Sequence, residues 1–127
     1  MEARDLVTRI LVVDDDPMML ELYREILTRV GHEVLIAENG TQGLARSDRK
    51  PDLIIVDLMM PNLNGYEFLR QLRSMNGHAA TPVIAASGVS TGEWALRGGA
   101  DRFLRKPFRS ADLIALVDEL LSRAPDR

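Results

Sequence analysis

Asp52-Leu-Ile-Ile-Val-Asp57-Leu-Met-Met-Pro61 contains four consecutive apolar residues, Leu53 to Val56, three of them β-branched. The run is too short for a helix, and Pro51 and Pro61 act as breakers on either side. Apolar residues without alternation are what a strand buried on both faces requires, as in the middle of a parallel sheet. Yet the run closes on Asp57. A carboxylate at the C-terminal end of a central parallel strand stands where open α/β sheets bind ligands. The same residue could equally make a local turn with the loop backbone, and the rest of the chain has to decide.

Upstream, Arg9 leads into a second apolar run, Ile10-Leu-Val-Val13, which meets Asp14-Asp15-Asp16-Pro17. Asp16 before Pro17 is a helix start, an Asp N-cap with proline at the first helical position. Met19, Leu22, Tyr23, Ile26 and Val30 then recur at helical spacing until Gly31 stops the helix. Glu33-Val-Leu-Ile-Ala37 reads as the next strand, Asn39-Gly40 as a turn, and Thr41 to about Ser47 as a short helix around Leu44.

Downstream of Pro61, Asn62 and Asn64-Gly65, residues Phe68, Leu69 and Leu72 mark a third helix. Thr81-Pro82-Val-Ile-Ala-Ala86 is a fourth strand ending at Ser87-Gly88, and a short helical piece ends at Gly98-Gly99. Asp101-Arg-Phe-Leu-Arg105 is a fifth strand, more polar and therefore at an edge. Leu113, Leu116, Val117, Leu120 and Leu121 line one face of a last helix. Strand and helix thus alternate five times, which implies parallel strands, right-handed crossovers and helices on both faces. The two most apolar strands, the first and third, belong in the middle. That favours the order 2-1-3-4-5, whose switch point lies between those two strands, where Asp14-Asp15-Asp16 and Asp57 would converge.

Composition narrows the function classes. At 127 residues the chain is one domain with room for a core, and its 46% hydrophobic and 28% charged content is that of an ordinary globular protein. No apolar run approaches the roughly 20 residues of a membrane span, and Met1 to Arg9 has no apolar block of a secretory signal. Zero cysteines rule out disulfides and thiolate metal sites and suit a cytoplasmic protein. A net charge of −3 gives no footprint for direct nucleic-acid binding. Only Lys50 and Lys106 are lysines, so a lysine used for chemistry is easy to find.

Carboxylates gathered without a cation repel, and their proton affinities rise. An oxygen-rich, thiol-free site of this kind suits Mg2+. An aspartate can also attack phosphorus and form an acyl phosphate. Such a transfer needs a metal on the phosphoryl oxygens, a cation for developing charge and a hydroxyl or amide for orientation. Ser87, closing the fourth strand, offers the hydroxyl; Lys106, closing the fifth, offers the charge. Each residue also has a plainer use: Asp16 as a helix cap, Ser87 in a turn, Lys106 as a solvated surface group, Phe103 as edge packing, Met59 and Met60 as loop contacts. Independent accidents would not set an acidic cluster, an Asp, a hydroxyl and a lysine at four strand ends facing one rim.

Over about residues 9 to 122 the chain resembles the receiver domain of two-component response regulators. The resemblance rests on Ile-Leu-Val-Val-Asp14-Asp15-Asp16-Pro17, Pro51-Asp-Leu-Ile-Ile-Val-Asp57-Leu-Met-Met-Pro61-Asn-Leu-Asn-Gly65, Pro82-Val-Ile-Ala-Ala-Ser87-Gly88 and Gly99-Ala-Asp-Arg-Phe103-Leu-Arg-Lys106-Pro107-Phe108. It implies a flavodoxin-like (βα)5 three-layer sandwich, with the receiver domain over residues 9–124 and tails at 1–8 and 125–127. It also implies a signalling phosphoacceptor that catalyses only its own phosphorylation and dephosphorylation. Asp57 matches the phosphoacceptor, Asp15 a direct Mg2+ ligand, Asp14 a partly water-mediated one, and Met59 the position whose backbone carbonyl reaches the metal. Ser87 matches the switch hydroxyl, Phe103 the aromatic that follows it, and Lys106 the cation, with a Lys106–Pro107 bond that is usually cis. The implied partners are a histidine kinase or histidine phosphotransfer protein and an unidentified downstream protein, with neither nucleic acid nor membrane bound by this domain.

Two rival readings fit parts of the chain. Haloacid dehalogenase-type phosphatases carry Asp-x-Asp after their first strand, but they want Thr or Val where this chain has Met18, and they leave Asp57 unexplained. A receiver-like module that binds partners without phosphorylation remains the stronger alternative, although all five chemical positions are filled. No output domain follows residue 127, so the chain is either a stand-alone receiver or a piece of a longer regulator.

Apolar Met59 and Val89 beside the path of an attacking water predict a long-lived phosphoryl group. Ser87 to Lys106 is about three residues shorter than in the family, nearly one helical turn. The fourth helix, capped by Ser90 with Glu93 reaching back, is therefore expected to be short or partly irregular, and mobile relative to the sheet. Arg97, Arg102, Arg105 and Arg109 in or near it are either merely solvated or a basic patch that docks an acidic partner and leaves only a weak homodimer.

Overall fold

The computed structural model describes residues 7–60, 65–75, 77–88 and 92–123, the side chains of Tyr66, Glu93 and Trp94 excepted. Five parallel strands, β1 (Arg9–Val13), β2 (Glu33–Ala37), β3 (Leu53–Asp57), β4 (Val83–Ser87) and β5 (Arg102–Arg105), form one sheet in the order β2-β1-β3-β4-β5. Five helices connect and follow them: α1 (Pro17–Arg29), α2 (Gly40–Arg46), α3 (Gly65–Ser74), α4 (Gly92–Arg97) and α5 (Ser110–Arg123). A single 3-10 turn, Ser47–Arg49, extends α2. The architecture is the expected flavodoxin-like three-layer sandwich.

The apolar runs explain the layers. Alternate residues of a strand point to opposite faces, so a strand buried on both sides feeds two cores. Ile10 and Val12 of β1, Leu53 and Ile55 of β3, and Ile84 and Ala86 of β4 pack with Tyr23 and Leu27 of α1 and Leu113 and Val117 of α5. Leu11 and Val13, Ile54 and Val56, and Val83 and Ala85 face the other way, against Phe68, Leu69 and Leu72 of α3 and Ala95 of α4. β3 and β4 are buried along their whole length, whereas β5 at the edge buries only Leu104 fully.

One helix face departs from the spacing argument. In α1 the fully buried stripe is Leu20, Tyr23, Ile26 and Leu27, while Leu22 is 40% and Val30 46% exposed. Apolar residues occupy nearly every position from Met18 to Tyr23, so the sequence fits two rotations of the helix about its axis; packing against α5 and the sheet selects one. The α1 start is as expected: the Asp16 carboxylate accepts from Met18 N, Pro17 opens the first turn, and Gly31 follows the end at φ 98°. The fourth helix spans six residues, in keeping with its shortened segment. Its expected cap Ser90, together with Val89, Pro61, Asn62 and Asn64, lies outside the described residues.

The ends of the strands opposite Asp57 are tied by polar contacts. The Arg73 guanidinium, at the end of α3, donates to the carbonyls of His78, Thr81 and Gly99 and pairs with Asp101, whose carboxylate also accepts from Val83 N. Buried His78 bonds through its two ring nitrogens to Thr81 Oγ1 and the Ser47 carbonyl. Arg9 N donates to the Asp52 carboxylate.

Gly43 tests the packing of α2 on the sheet. A Cβ there would lie 2.9 Å from Val13 Cγ2 and 3.1 Å from Phe68 Cε1, both deep in the core. Gly43→Val should therefore cost about 1–3 kcal/mol in urea unfolding, since overpacking outweighs the modest gain in helix propensity.

Candidate functional site

The strand ends at the carboxyl edge of the sheet bring four charged side chains together. Asp14 follows β1, Asp57 closes β3 and Lys106 follows β5. Lys106 Nζ donates to Asp14 Oδ2 at 2.9 Å and to Asp57 Oδ2 at 3.2 Å. Asp14, Asp15 and Asp57 each present a carboxylate oxygen, and these atoms lie within 4.8 Å of one another. Asp14 and Asp57 are buried, while Asp15 is exposed. The donor set is all carboxylate, with no thiol or imidazole, so the cluster could hold a hard divalent cation.

The backbone holds these groups in place. Asp14 N donates to the Ala37 carbonyl at the end of β2, and Asp16 N donates to Asp14 Oδ1 at 2.9 Å. Met59 N donates to Asp57 Oδ1, also at 2.9 Å, which fixes the carboxylate and the first residues of its loop together. Lys106 N donates to the Ser87 carbonyl at 2.8 Å, so β5 delivers the lysine directly beside the end of β4. The Lys106–Pro107 bond is cis, as the resemblance implied.

Of the predicted residues, Asp14, Asp15, Asp57 and Lys106 form one contact group, with Met59 attached through its backbone. Ser87 is fully buried at the end of β4, one strand over from Asp57. Phe103 stands apart from the charges: it is half-buried, in register with Ala85, and packs against the α2, α3 and α4 side of the sheet. Asp16 spends its carboxylate on the α1 cap, the plainer of its two readings. Tyr23 is a residue the sequence argument placed only in an apolar stripe. Its ring lies 5.3 Å from that of Phe108, and its buried hydroxyl has no hydrogen-bond partner among the described residues. Burial, then the negative charges of Asp14 and Asp57, push its phenol far above the ordinary tyrosine range. A tyrosine on the inner face of the helix that follows an acidic cluster was the available signal.

Burial raises the Asp14 carboxyl above its usual value, against the opposing pull of the Asp16 N–H and Lys106; repulsion from Asp57 is the smallest contribution. Burial also works against the charge of Lys106, but its hydrogen bonds and attraction to Asp14 and Asp57 together outweigh it and hold the ammonium above the usual lysine value. At Asp14 the cost comes chiefly from burial, and less from repulsion by Asp57.

Comparison with known proteins follows the same line. The model of the response regulator receiver domain matches residues 10–118. The transcriptional regulatory protein CpxR of Klebsiella pneumoniae subsp. pneumoniae is 36% identical over 118 residues, covering 93% of this chain and 51% of that protein. The chain thus spans about half the length of that relative. Protein PilH of Pseudomonas aeruginosa is 36% identical over 120 residues, covering 91% of this chain and 99% of PilH. Among solved structures, the receiver domain of the sensor histidine kinase PA1611 from Pseudomonas aeruginosa PAO1, with a magnesium ion coordinated in its active site cleft, has a TM-score of 0.84 at 27% identity. That alignment covers 91% of this chain and 98% of the other.

The raised Asp14 value has a measurable sign. Above 3.8, the ordinary value for this carboxyl, the folded protein keeps the Asp14 proton longer than the unfolded chain does. Unfolding then releases a proton, so stability falls as pH rises through that interval. In chelator-treated buffer, Asp14→Asn should be more stable than wild type at neutral pH, with the difference shrinking toward acid. Urea unfolding of both proteins across a pH series checks this.

Proposed function

The chain belongs to the response regulator receiver family of two-component signalling, and from that membership we propose that it accepts a phosphoryl group on Asp57 from a histidine kinase or a histidine phosphotransfer protein. The observation that carries this reading is the shared ammonium: Lys106 is held between Asp14 and Asp57, beside a third carboxylate, at the exposed rim of the sheet.

In the transfer, an Asp57 carboxylate oxygen attacks phosphorus, the bond to the donor imidazole breaks, and the departing ring nitrogen keeps the electron pair and takes a proton. The Asp57–Met59 hydrogen bond orients the carboxylate before the donor arrives. Lys106 can shift its hydrogen bonds from Asp57 toward the phosphoryl oxygens as charge gathers there. Mg2+, held by Asp14, Asp15, Asp57 and the Met59 backbone carbonyl, would neutralise the phosphoryl oxygens when bound. The Ser87 hydroxyl is assigned to the new phosphoryl group, which adds charge and acceptor oxygens, and Phe103 to the movement that follows.

The same reading assigns residues 9–124 to the receiver, with tails at 1–8 and 125–127, and a cytoplasmic location. No helix among the described residues is long and apolar enough to cross a membrane. The chain acts as a signalling protein rather than a classical enzyme, catalysing its own phosphorylation and dephosphorylation. Its output goes to a downstream protein, with a weak homodimer and no direct contact of this domain with nucleic acid. Arg97, Arg105 and Arg109 are exposed and favour an acidic partner; Arg102 pairs with Glu119 of α5. Apolar, exposed Met59 gives an attacking water nothing to align on, which favours a long-lived phosphoryl group.

Asp57→Asn should abolish acid-labile labelling from a phosphohistidine donor or acetyl phosphate while leaving the circular dichroism spectrum intact. Equal labelling of the variant would sink the reading. With beryllofluoride and Mg2+ bound, a crystal structure should find Phe103 turned inward toward the space beside Ser87. An unchanged Phe103 rotamer would remove it from the switch and leave a binding module that does not respond to phosphorylation.

A further inference from the structure

The chain has six methionines and no cysteine, so thioethers are its only oxidisable sulfur. Two methionines are well exposed among the described residues: Met18 at 81% and Met59 at 59%. Met60 is buried at 6%, and Met19 and Met75 pack half-covered against the two cores. Both exposed methionines belong to the segments that carry the acidic cluster. Met18 lies in the first turn of α1 just beyond Asp14, Asp15 and Asp16, and Met59 lies two residues beyond Asp57 with its N–H on the Asp57 carboxylate.

We propose that Met59 is an oxidant-sensitive modification site whose sulfoxide shortens the life of the phosphoryl group on Asp57. The inference rests on the phosphoacceptor function above and adds a regulation of that same site. The sulfur lone pair attacks one oxygen of hydrogen peroxide, the O–O bond breaks, and hydroxide departs. The proton left on the new S–OH passes to that hydroxide, giving sulfoxide and water; sulfur is oxidised by two electrons and the peroxide reduced. A thiol-dependent sulfoxide reductase reverses the change.

The consequence follows from chemistry at one position. A thioether is apolar and a weak acceptor, so it cannot align water. A sulfoxide oxygen is polar and accepts hydrogen bonds strongly. Hydrolysis of the acyl phosphate depends on a water held in line with the phosphorus–oxygen bond, and oxidation adds an acceptor on the exposed residue whose N–H holds the Asp57 carboxylate. Met60, next in the chain, is spared because it is buried. Met18 is oxidised as readily as Met59, but it sits in the first turn of α1 and is not assigned to the water path.

The purified protein is treated with limiting hydrogen peroxide, the added oxygen is mapped by peptide mass spectrometry, and loss of acyl phosphate is timed after labelling with acetyl phosphate. Met18 and Met59 should gain oxygen well before Met60. The phosphoryl half-life should fall several-fold in wild type and in Met18→Leu but not in Met59→Leu, each compared with its own untreated sample. Met59→Gln, which carries an oxygen acceptor on a side chain of similar length, should shorten the half-life without oxidant. Oxidation of Met59 no faster than Met60, an unchanged half-life once Met59 is oxidised, or an equal fall in Met59→Leu would each overturn the proposal. Untreated wild type that never labels would overturn the phosphoacceptor function itself, and this regulation with it.

Discussion

Lys106 is shared by two buried carboxylates, and that shared charge sets the terms for the rest of the molecule. Removing Asp14 and Asp57 from water without a cation would be severely unfavourable, because an ionised group loses far more solvation than neutral packing returns. The ammonium reaches both at hydrogen-bond distance only because β1, β3 and β5 all end at one rim. Parallel strands with helical crossovers are what make three sequence-distant ends coincide. The topology and the chemistry are therefore the same requirement met once.

The apolar strands beneath supply the stiffness that requirement needs. β1 after Arg9, and all of β3 and β4, have almost no exposed side-chain surface, and their alternate residues lock into separate cores on each face. A sheet packed on both sides cannot slide its strands past one another without opening one core, so the distances at its rim are held by the burial below. At the rim itself Asp15 and Met59 remain exposed, on short loops rather than on strands. Rigid placement and open access coexist because they belong to different layers of the same strand ends.

Most of this was legible in the chain. Unbroken apolar runs such as Leu53 to Val56 mark doubly buried strands, and Asp16-Pro17 marks a helix start, because each pattern has few other physical uses. Strand order followed from which runs were most apolar, and the converging acids followed from strand order. The α1 rotation was not legible: Met18 to Tyr23 is apolar nearly all round, and only the shapes of α5 and the sheet distinguish Leu20 from Leu22. Equally, three adjacent aspartates look alike in sequence. Their division into a buried partner of Lys106, an exposed carboxylate and a helix cap depends on where β1 stops and α1 begins.

Arg73 gives the sheet a mechanical asymmetry. Its guanidinium, with Asp101 and His78, stitches the end of α3 to the amino ends of β4 and β5 and to the turn after α2. At the other end of the same strands the charged tie is Lys106, between Asp14 and Asp57. The domain is thus bound like a book, sewn along one edge and held at the other by a clasp. The spine combines a guanidinium, an imidazole and backbone carbonyls, whereas the clasp is one ammonium between two carboxylates, so added charge bears more directly on the Asp57 edge than on the spine.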